Sequence, residues 1–368
     1  MRRTLTLLAC ATVLSWLVAR AFAWSYKEHV QLTRIAVARL IADPTTPPAM
    51  RDWLRQAVAQ PLDMDREREF LMNAHVGSEP RGFDGMLYWA CEADVRARTD
   101  PRDSKVEPFG VHERLLHFID VELFQPPEQK KGYLHDLSGK PSIDQIPRDM
   151  TDPRYQQAGM LPLRIEQCYA ELVRAIREDR LHALTTREQE SQRTATYWAG
   201  LLAHYLADNT QPHHATLDYK SQSYFANKRK APNIHSEVEY RMVDDEKEHF
   251  PQLREEYWKL FQDALQNDRD PIEAADPFRA SLEVSMISYD ALPLIGEAAM
   301  RAAGQQGTPD DPRGDIAGKF DTEAFMRHRG TYRGQEMSVM EMKARQTAWA
   351  VKRIERTLRQ AWREARGE

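Results

Sequence analysis

The stretch His204-Tyr205-Leu206-Ala207-Asp208-Asn209-Thr210-Gln211-Pro212-His213-His214 decides how the rest of this chain is read. Thr185 and Glu188 have the spacing of a capping box, and the apolar run behind them predicts a helix that ends near Asp208. His204 and Asp208 then lie one turn apart on one face. Pro212 stops the helix and lets His213 or His214 fold back beside it. A second pair, His235 and Glu239, repeats the spacing. Imidazole and carboxylate at such intervals suit zinc, which takes nitrogen and oxygen ligands in a compact tetrahedron.

Outward from this stretch the sequence reads as helix. Apolar residues recur at helical intervals in Lys27 to Ala42 and Leu163 to Asp179. Asn233 to Glu246, Leu253 to Leu265, Pro277 to Ala303 and Met337 to Glu364 are further helical windows. No run of five or more residues alternates as a strand would. Prolines punctuate an irregular connection from Val121 to Pro162, and Gly304 to Gly318 is a polar loop. There is no repeat and no evident linker, so the expectation is an all-α fold with one large helical domain over 24–368.

Residues 1–23 stand apart. Arg2 and Arg3 precede an apolar run from Leu5 to Val18, and Ala21-Phe22-Ala23 forms a small-x-small site: the pattern of a secretory signal peptide. Cleavage before Trp24 would send the chain to the periplasm or outside the cell. It would also remove three arginines and no acids, leaving 48 basic and 56 acidic residues, a net charge of −8. Such a balance argues against a protein that coats nucleic acid through basic side chains. Only Cys91 and Cys168 would remain, so at most one internal disulfide is possible.

Single pairs prove little. With 12 histidines and 56 acids in 368 residues, roughly two His-x-x-x-acid pairs arise by chance. Four occur: His75/Glu79, His204/Asp208, His214/Asp218 and His235/Glu239. Each taken alone is as well read as a helix-surface pair or a satisfied core histidine. The arrangement as a whole says more.

The pattern His204-x-x-x-Asp208 followed by Gln211-Pro212-x-His214 resembles the signature of the zinc-dependent phospholipase C and single-strand nuclease superfamily. Other positions resemble the same pattern in the same chain order. Trp24 matches the mature N-terminus, and His29 follows at the spacing of the nuclease branch. Leu87 to Asp94 resembles the segment with the Asp ligand, with Asp84 and Asp100 as neighbouring alternatives to Asp94. His117-Phe118-Ile119-Asp120 supplies the next histidine, with His112 as a competitor. His235 and Glu239 close the set, and the last helix, with Arg345 and Arg353, is also similar.

The resemblance implies an all-α fold of this type and three zinc ions. Asp94, His117, His204 and Asp208 would hold one ion. Trp24, His29 and a bridging Asp208 would hold its close neighbour. His214, His235 and Glu239 would hold the third. It further implies phosphodiester hydrolysis by a hydroxide between the close pair, with Asp94 and Asp208 as the catalytic ligands. Three zinc ions against three carboxylates leave such a site positive inside an acidic protein, which draws in a phosphodiester.

Two branches compete. Phe118 and Asp120 resemble the base pocket of the nucleases, and an aromatic ring is a sequence-tolerant platform for single strands. Core packing for Phe118 and a loop carboxylate for Asp120 are the plain alternatives. Asn209-Thr210-Gln211-Pro212 also leans to the nucleases. Glu239 is closer to the phospholipases, where the nucleases have Asp. Ala97, between Arg96 and Arg98, stands where nucleases carry a basic residue. Val95 stands where phospholipases carry an aromatic. The expected substrate is therefore single-stranded DNA or RNA, with phospholipid as the alternative and a non-catalytic secreted zinc-binding protein as the second alternative. His213 is expected to face solvent, and Asp218 either orients His214 or is a plain loop acid. Met340, Met342 and Trp349 read as core.

Overall fold

Helix α6 (Ala195–Asp208) runs through the middle of the molecule and is buried along almost its whole length. Its sequence explains why. Ala, Leu and Tyr occupy every side of it, as in a helix surrounded by others. Around it pack α1 (Tyr26–Ala42), α4 (Gly85–Thr99), α5 (Leu161–Arg177) and the long C-terminal α11 (Val339–Arg366). The computed structural model describes residues 25–58, 63–72, 85–99, 105–125, 140–182, 193–227, 229–244, 250–304 and 319–367. Residues 1–24, with Trp24 and the expected leader, lie outside these, as do Asp84, Asp100, Thr185 and Glu188.

The remaining helices complete an all-α fold: α2 (Pro48–Ala57), α3 (Met64–Met72), α7 (Pro251–Asn267), α8 (Pro277–Tyr289), α9 (Leu292–Ala302) and α10 (Thr322–Arg327). One hydrophobic cluster joins them, including Met340, Met342 and Trp349 as expected. No helix among the described residues is long and apolar enough to cross a membrane. Cys91 and Cys168 are both buried thiols and form no disulfide.

The structure departs from the sequence expectations in four places. The window 277–303 is two helices, because Asp290 and Ala291 turn the chain and Pro293 sits in the first turn of α9, where a missing N–H costs nothing. The described part of the central helix begins at Ala195, with the Thr194 side chain accepting from Tyr197 N–H as N-cap. The window 233–246 is not a regular helix: a π-helical turn, Glu237–Arg241, separates the short pieces Ile234–Ser236 and Met242–Asp244. A β-hairpin joins β1 (Arg329–Tyr332) to β2 (Gln335–Ser338) in antiparallel register. Its four-residue strands are too short to register as an alternating run.

Gly200 sets the distance between α4 and α6. A Cβ there would lie 2.6 Å from Met86 O and 2.6 Å from Trp89 Cβ. The bare glycine lets the two helices touch backbone to side chain. One turn further on, this contact delivers the Ala90 carbonyl to His204.

Candidate metal centre

Asp208, at the end of α6, is the hub. Its carboxylate is fully buried and meets three imidazoles from three parts of the chain. His29 Nε2 from α1 lies 3.2 Å from Oδ1. His204 Nε2, one turn back on α6, lies 3.1 Å from Oδ2. His117 Nδ1, just past a short 3-10 turn (Glu113–Leu116), lies 2.9 Å from Oδ2. Asp94 of α4 approaches the same place, 3.8 Å from His117 Nδ1. The rings of His29 and His204 stack at 4.0 Å. Five of the expected residues thus converge in one buried spot. His112 does not: its side chain accepts from Arg114 N–H as the cap of that 3-10 turn.

Proton accounting shows what this spot wants. His204 Nδ1 donates to Ala90 O at 2.8 Å. A neutral His204 therefore has a bare Nε2, and that nitrogen faces the Asp208 carboxylate and, at 3.2 Å, His117 Nδ1. His117 Nδ1 lies within donating distance of the same carboxylate, and the lone pair of a neutral His204 Nε2 against Asp208 is repulsive unless a cation, proton or metal, stands between them. Burial opposes charge on His204, but the Asp208 carboxylate and its hydrogen bond outweigh it and push the imidazole up to about 9. Burial also opposes charge on Asp208, yet His204, His117 and His29 hold its carboxyl well below the ordinary range. Burial, then the neighbouring His204, lowers His29. The cluster keeps a carboxylate ionised and invites positive charge. His29 Nδ1 and His117 Nε2 are buried with no hydrogen-bond partner among the described residues.

The separations fit a metal. Zinc bonds of about 2.0–2.1 Å at tetrahedral angles place neighbouring donor atoms roughly 3.3 Å apart. Four imidazole–carboxylate pairs here stand 2.9–3.8 Å apart. Two overlapping trios could hold an ion: His29, His204 and Asp208, and Asp94, His117 and His204.

A second group lies close by on irregular backbone. His214 sits in a 3-10 turn, Pro212–Ala215, that follows α6 directly. Its Nδ1 donates to His117 O at 2.7 Å, which fixes the orientation of the ring. Ile119 N–H returns a bond to His214 O at 2.8 Å. Each group is therefore registered on the other. His235 Nε2 lies 2.5 Å from Glu239 Oε2, and the His214 and His235 rings are 5.2 Å apart. His214, His235 and Glu239 are neighbours, but their donors do not close into a trio as tight as the first two. The turn after α6 is pinned from below by α8: Asn209 donates to Ser285 Oγ and Ser288 donates to Asn209 O.

Compared with known proteins, the chain matches no family model, no curated protein and no solved structure. The site is read from its own geometry.

That geometry corrects one expectation and decides between the two readings of Asp218. His213 is not a solvent residue: it is 1% exposed, bonds Ser221 Oγ at 2.9 Å and stacks on His235 at 5.4 Å. Burial, with His214 beside it, lowers it to about 3, so it stays neutral. The reason is tertiary: the Ser221 loop and the His235 ring cover the turn. Asp218 does not orient His214. It accepts from Gln222 N, Ser223 N and Ser223 Oγ, and so organises its own loop.

Phe118 and Asp120 border the cluster. The Phe118 ring is half-buried against Gly159, whose φ of +80° and missing Cβ make the contact possible. A Cβ at Gly159 would stand 2.7 Å from the ring. Asp120 is buried, and burial, then the Glu122 carboxylate, raises it well above its ordinary value. Its proton is therefore held more firmly than in an ordinary carboxyl group. Arg96 packs over Trp89 and Tyr197 and donates to the Tyr197 hydroxyl at 3.2 Å.

Sequence reasoning missed the residues that hold these groups in place: Gly159, Gly200, Ser285, Ser288 and three buried cations, Lys27, Arg254 and Lys343. Arg254 leaves a signal, since it stands among Leu253, Tyr257, Trp258 and Phe261 on α7.

Proposed function

We propose that this chain is a secreted zinc-dependent phosphodiesterase, most closely a single-strand nuclease of the superfamily its motifs resemble. The observation that carries the reading is the arrangement of imidazoles around Asp208, with His204 Nδ1 tied to a backbone carbonyl so that Nε2 faces the carboxylate. Such a set is costly to bury without a cation.

His29, Asp94, His117, His204 and Asp208, completed by Trp24, would hold a close pair of ions. His214, His235 and Glu239 would hold a third. Zinc there supplies Lewis acidity, drawing a phosphodiester and lowering the pKa of a bound water to about 7. The chain's own residues do the rest. The Ala90 and His117 carbonyls orient the rings of His204 and His214. Phe118 offers its half-exposed ring for a base to stack on. Asp120, next but one in the chain to Phe118, gives its carboxyl group to a base edge.

A second reading, phospholipase C, is favoured by one observation. The two exposed large apolar side chains among the described residues, Leu217 and Tyr240, stand next in sequence to the His214 and Glu239 segments. Apolar groups flanking a phosphate site suit a lipid.

Mature protein beginning at Trp24 should be incubated with single-stranded DNA, RNA and phosphatidylcholine, with and without a zinc chelator. Chelator-sensitive release of nucleotides is the expected outcome. Phosphocholine release with nucleic acid untouched would move the assignment to the phospholipase branch. Turnover of none of the three, with no zinc retained, would overturn the enzyme reading.

A further inference from the structure

The π-helical turn that carries Glu239 raises a question of backbone accounting. In that turn the N–H to C=O pairing steps from four residues to five, and the pieces on each side are three residues long. Carbonyls in and after the turn take further donors from outside it. They receive them from buried cations. Lys343 Nζ donates to Val238 O at 2.8 Å and to Glu239 O at 3.1 Å. Arg254 Nε donates to Met242 O at 2.7 Å, and Lys27 Nζ to Val243 O at 3.2 Å.

Lys343 does more than fill these acceptors. Its ammonium also pairs with Glu28 Oε1 at 2.8 Å, and both side chains are buried. An ammonium has three N–H donors, and these three partners match them. Glu28 precedes His29. Glu239 is itself one of the acceptors. One ammonium on α11 thus joins the turn that presents His29 to the turn that presents Glu239.

We infer that Lys343 is a positioning residue for the His235–Glu239 segment, registering it against α1 and the Asp208 cluster through Glu28. The inference deepens the proposed function and rests on reading that segment as the third ion site. A methionine would fill the same volume but donate nothing, so Val238 O and Glu239 O would be left to relax. The turn would shift, and His235 and Glu239 with it. The part of the Asp208 cluster that stands on α4 and α6, Asp94, His204 and Asp208, would keep its shape.

The test uses the mature full chain. Lys343→Met alone leaves Glu28 buried without this cation, so the pair Glu28→Gln with Lys343→Met is made beside it, and Lys343→Arg serves as the conservative rescue. Hydrogen exchange of the chelator-treated protein, followed by mass spectrometry, reads the backbone directly. Exchange across 234–244 should quicken about tenfold, the effect of losing one such hydrogen bond, with α6 unchanged. Reloading with zinc and measuring metal content should show one ion fewer than in the unaltered chain, restored in Lys343→Arg. Unchanged exchange and ion content in the folded double variant would overturn the inference. So would equal loosening of α6 and 234–244, which would mark Lys343 as a general stabiliser. If the unaltered chain takes up no zinc, the ion-site reading falls, and the exchange comparison still decides what Lys343 does.

Discussion

The Asp208 cluster and the His235–Glu239 group are built by opposite means. Four of the five residues of the first stand on regular helices: His29 on α1, Asp94 on α4 and His204 with Asp208 on α6, with Gly200 drawing α4 and α6 into contact and His117 joining them from just past a 3-10 turn. Ordinary side-chain packing places its donors, and they already stand at metal-ligand spacing. The second rests on a 3-10 turn and a π turn, whose backbone is held by buried cations and whose donors gather less tightly. Helix packing makes a rigid site from local periodicity. An irregular turn makes one only with distant help.

The comparison predicts unequal damage. The largest effect belongs to the hub. Asp208→Asn should abolish the close pair, and since metal chemistry supplies several kcal/mol of charge stabilisation, phosphodiester turnover should fall about a thousand-fold or more. Metal content and turnover measured together check this; near-normal zinc would show that Asp208 is not the hub. His235→Ala should remove one ion and spare the others, lowering turnover about a hundred-fold, as for loss of one electrostatic stabiliser. Equal loss of all ions would erase the distinction between the two regions.

A packing change sharpens the comparison further. Gly200→Ala drives a methyl into Met86 O and Trp89 Cβ. It should cost about 1–3 kcal/mol of stability by overpacking and weaken metal binding about 10- to 100-fold by displacing the Ala90 carbonyl from His204. Thermal melts and zinc titration read the two effects separately. Phe118→Ala, beside the cluster, should weaken capture of single-stranded oligonucleotides by about 1–3 kcal/mol, raising KM with little change in kcat.

The smallest effect concerns pH. Glu122, next to both groups, accepts from Thr216 Oγ1 and Leu217 N–H. Burial raises it from 4.5 to about 7 against those hydrogen bonds, with Asp218 adding to the rise and Asp120 close by. The folded state therefore binds a proton more readily than the unfolded state between these values. Stability should fall as pH rises from 4.5 to 7. Glu122→Gln should flatten that slope in denaturant titrations at several pH values, and an unchanged slope would assign it to other groups.

What could be read from sequence follows the same division. The all-α class, α1, α5, α7 and α11, and the place of His204 and Asp208 on one helix face follow from local periodicity, which a sequence displays directly. The π turn does not, because it depends on Lys343, Lys27 and Arg254 arriving from other helices. His213 was misplaced for a related reason: a residue in a tight turn looks exposed until the elements above it are known. The break at Asp290 and Ala291 was written in Pro293, but a proline in a first helical turn looks like one inside a longer helix. The approach of Asp94 to His117 is likewise a tertiary fact that spacing along the chain does not display.

Helix α6 carries Gly200, His204 and Asp208 four residues apart, so a single stripe serves both helix contact and chemistry. Nearly every other position on it is buried as well. For a population of mutating genes, this segment is a target almost without neutral sites. Variation has to accumulate on the outer faces of the surrounding helices. Distant descendants of this chain would then be found by the 200–214 segment long after the rest had drifted beyond recognition.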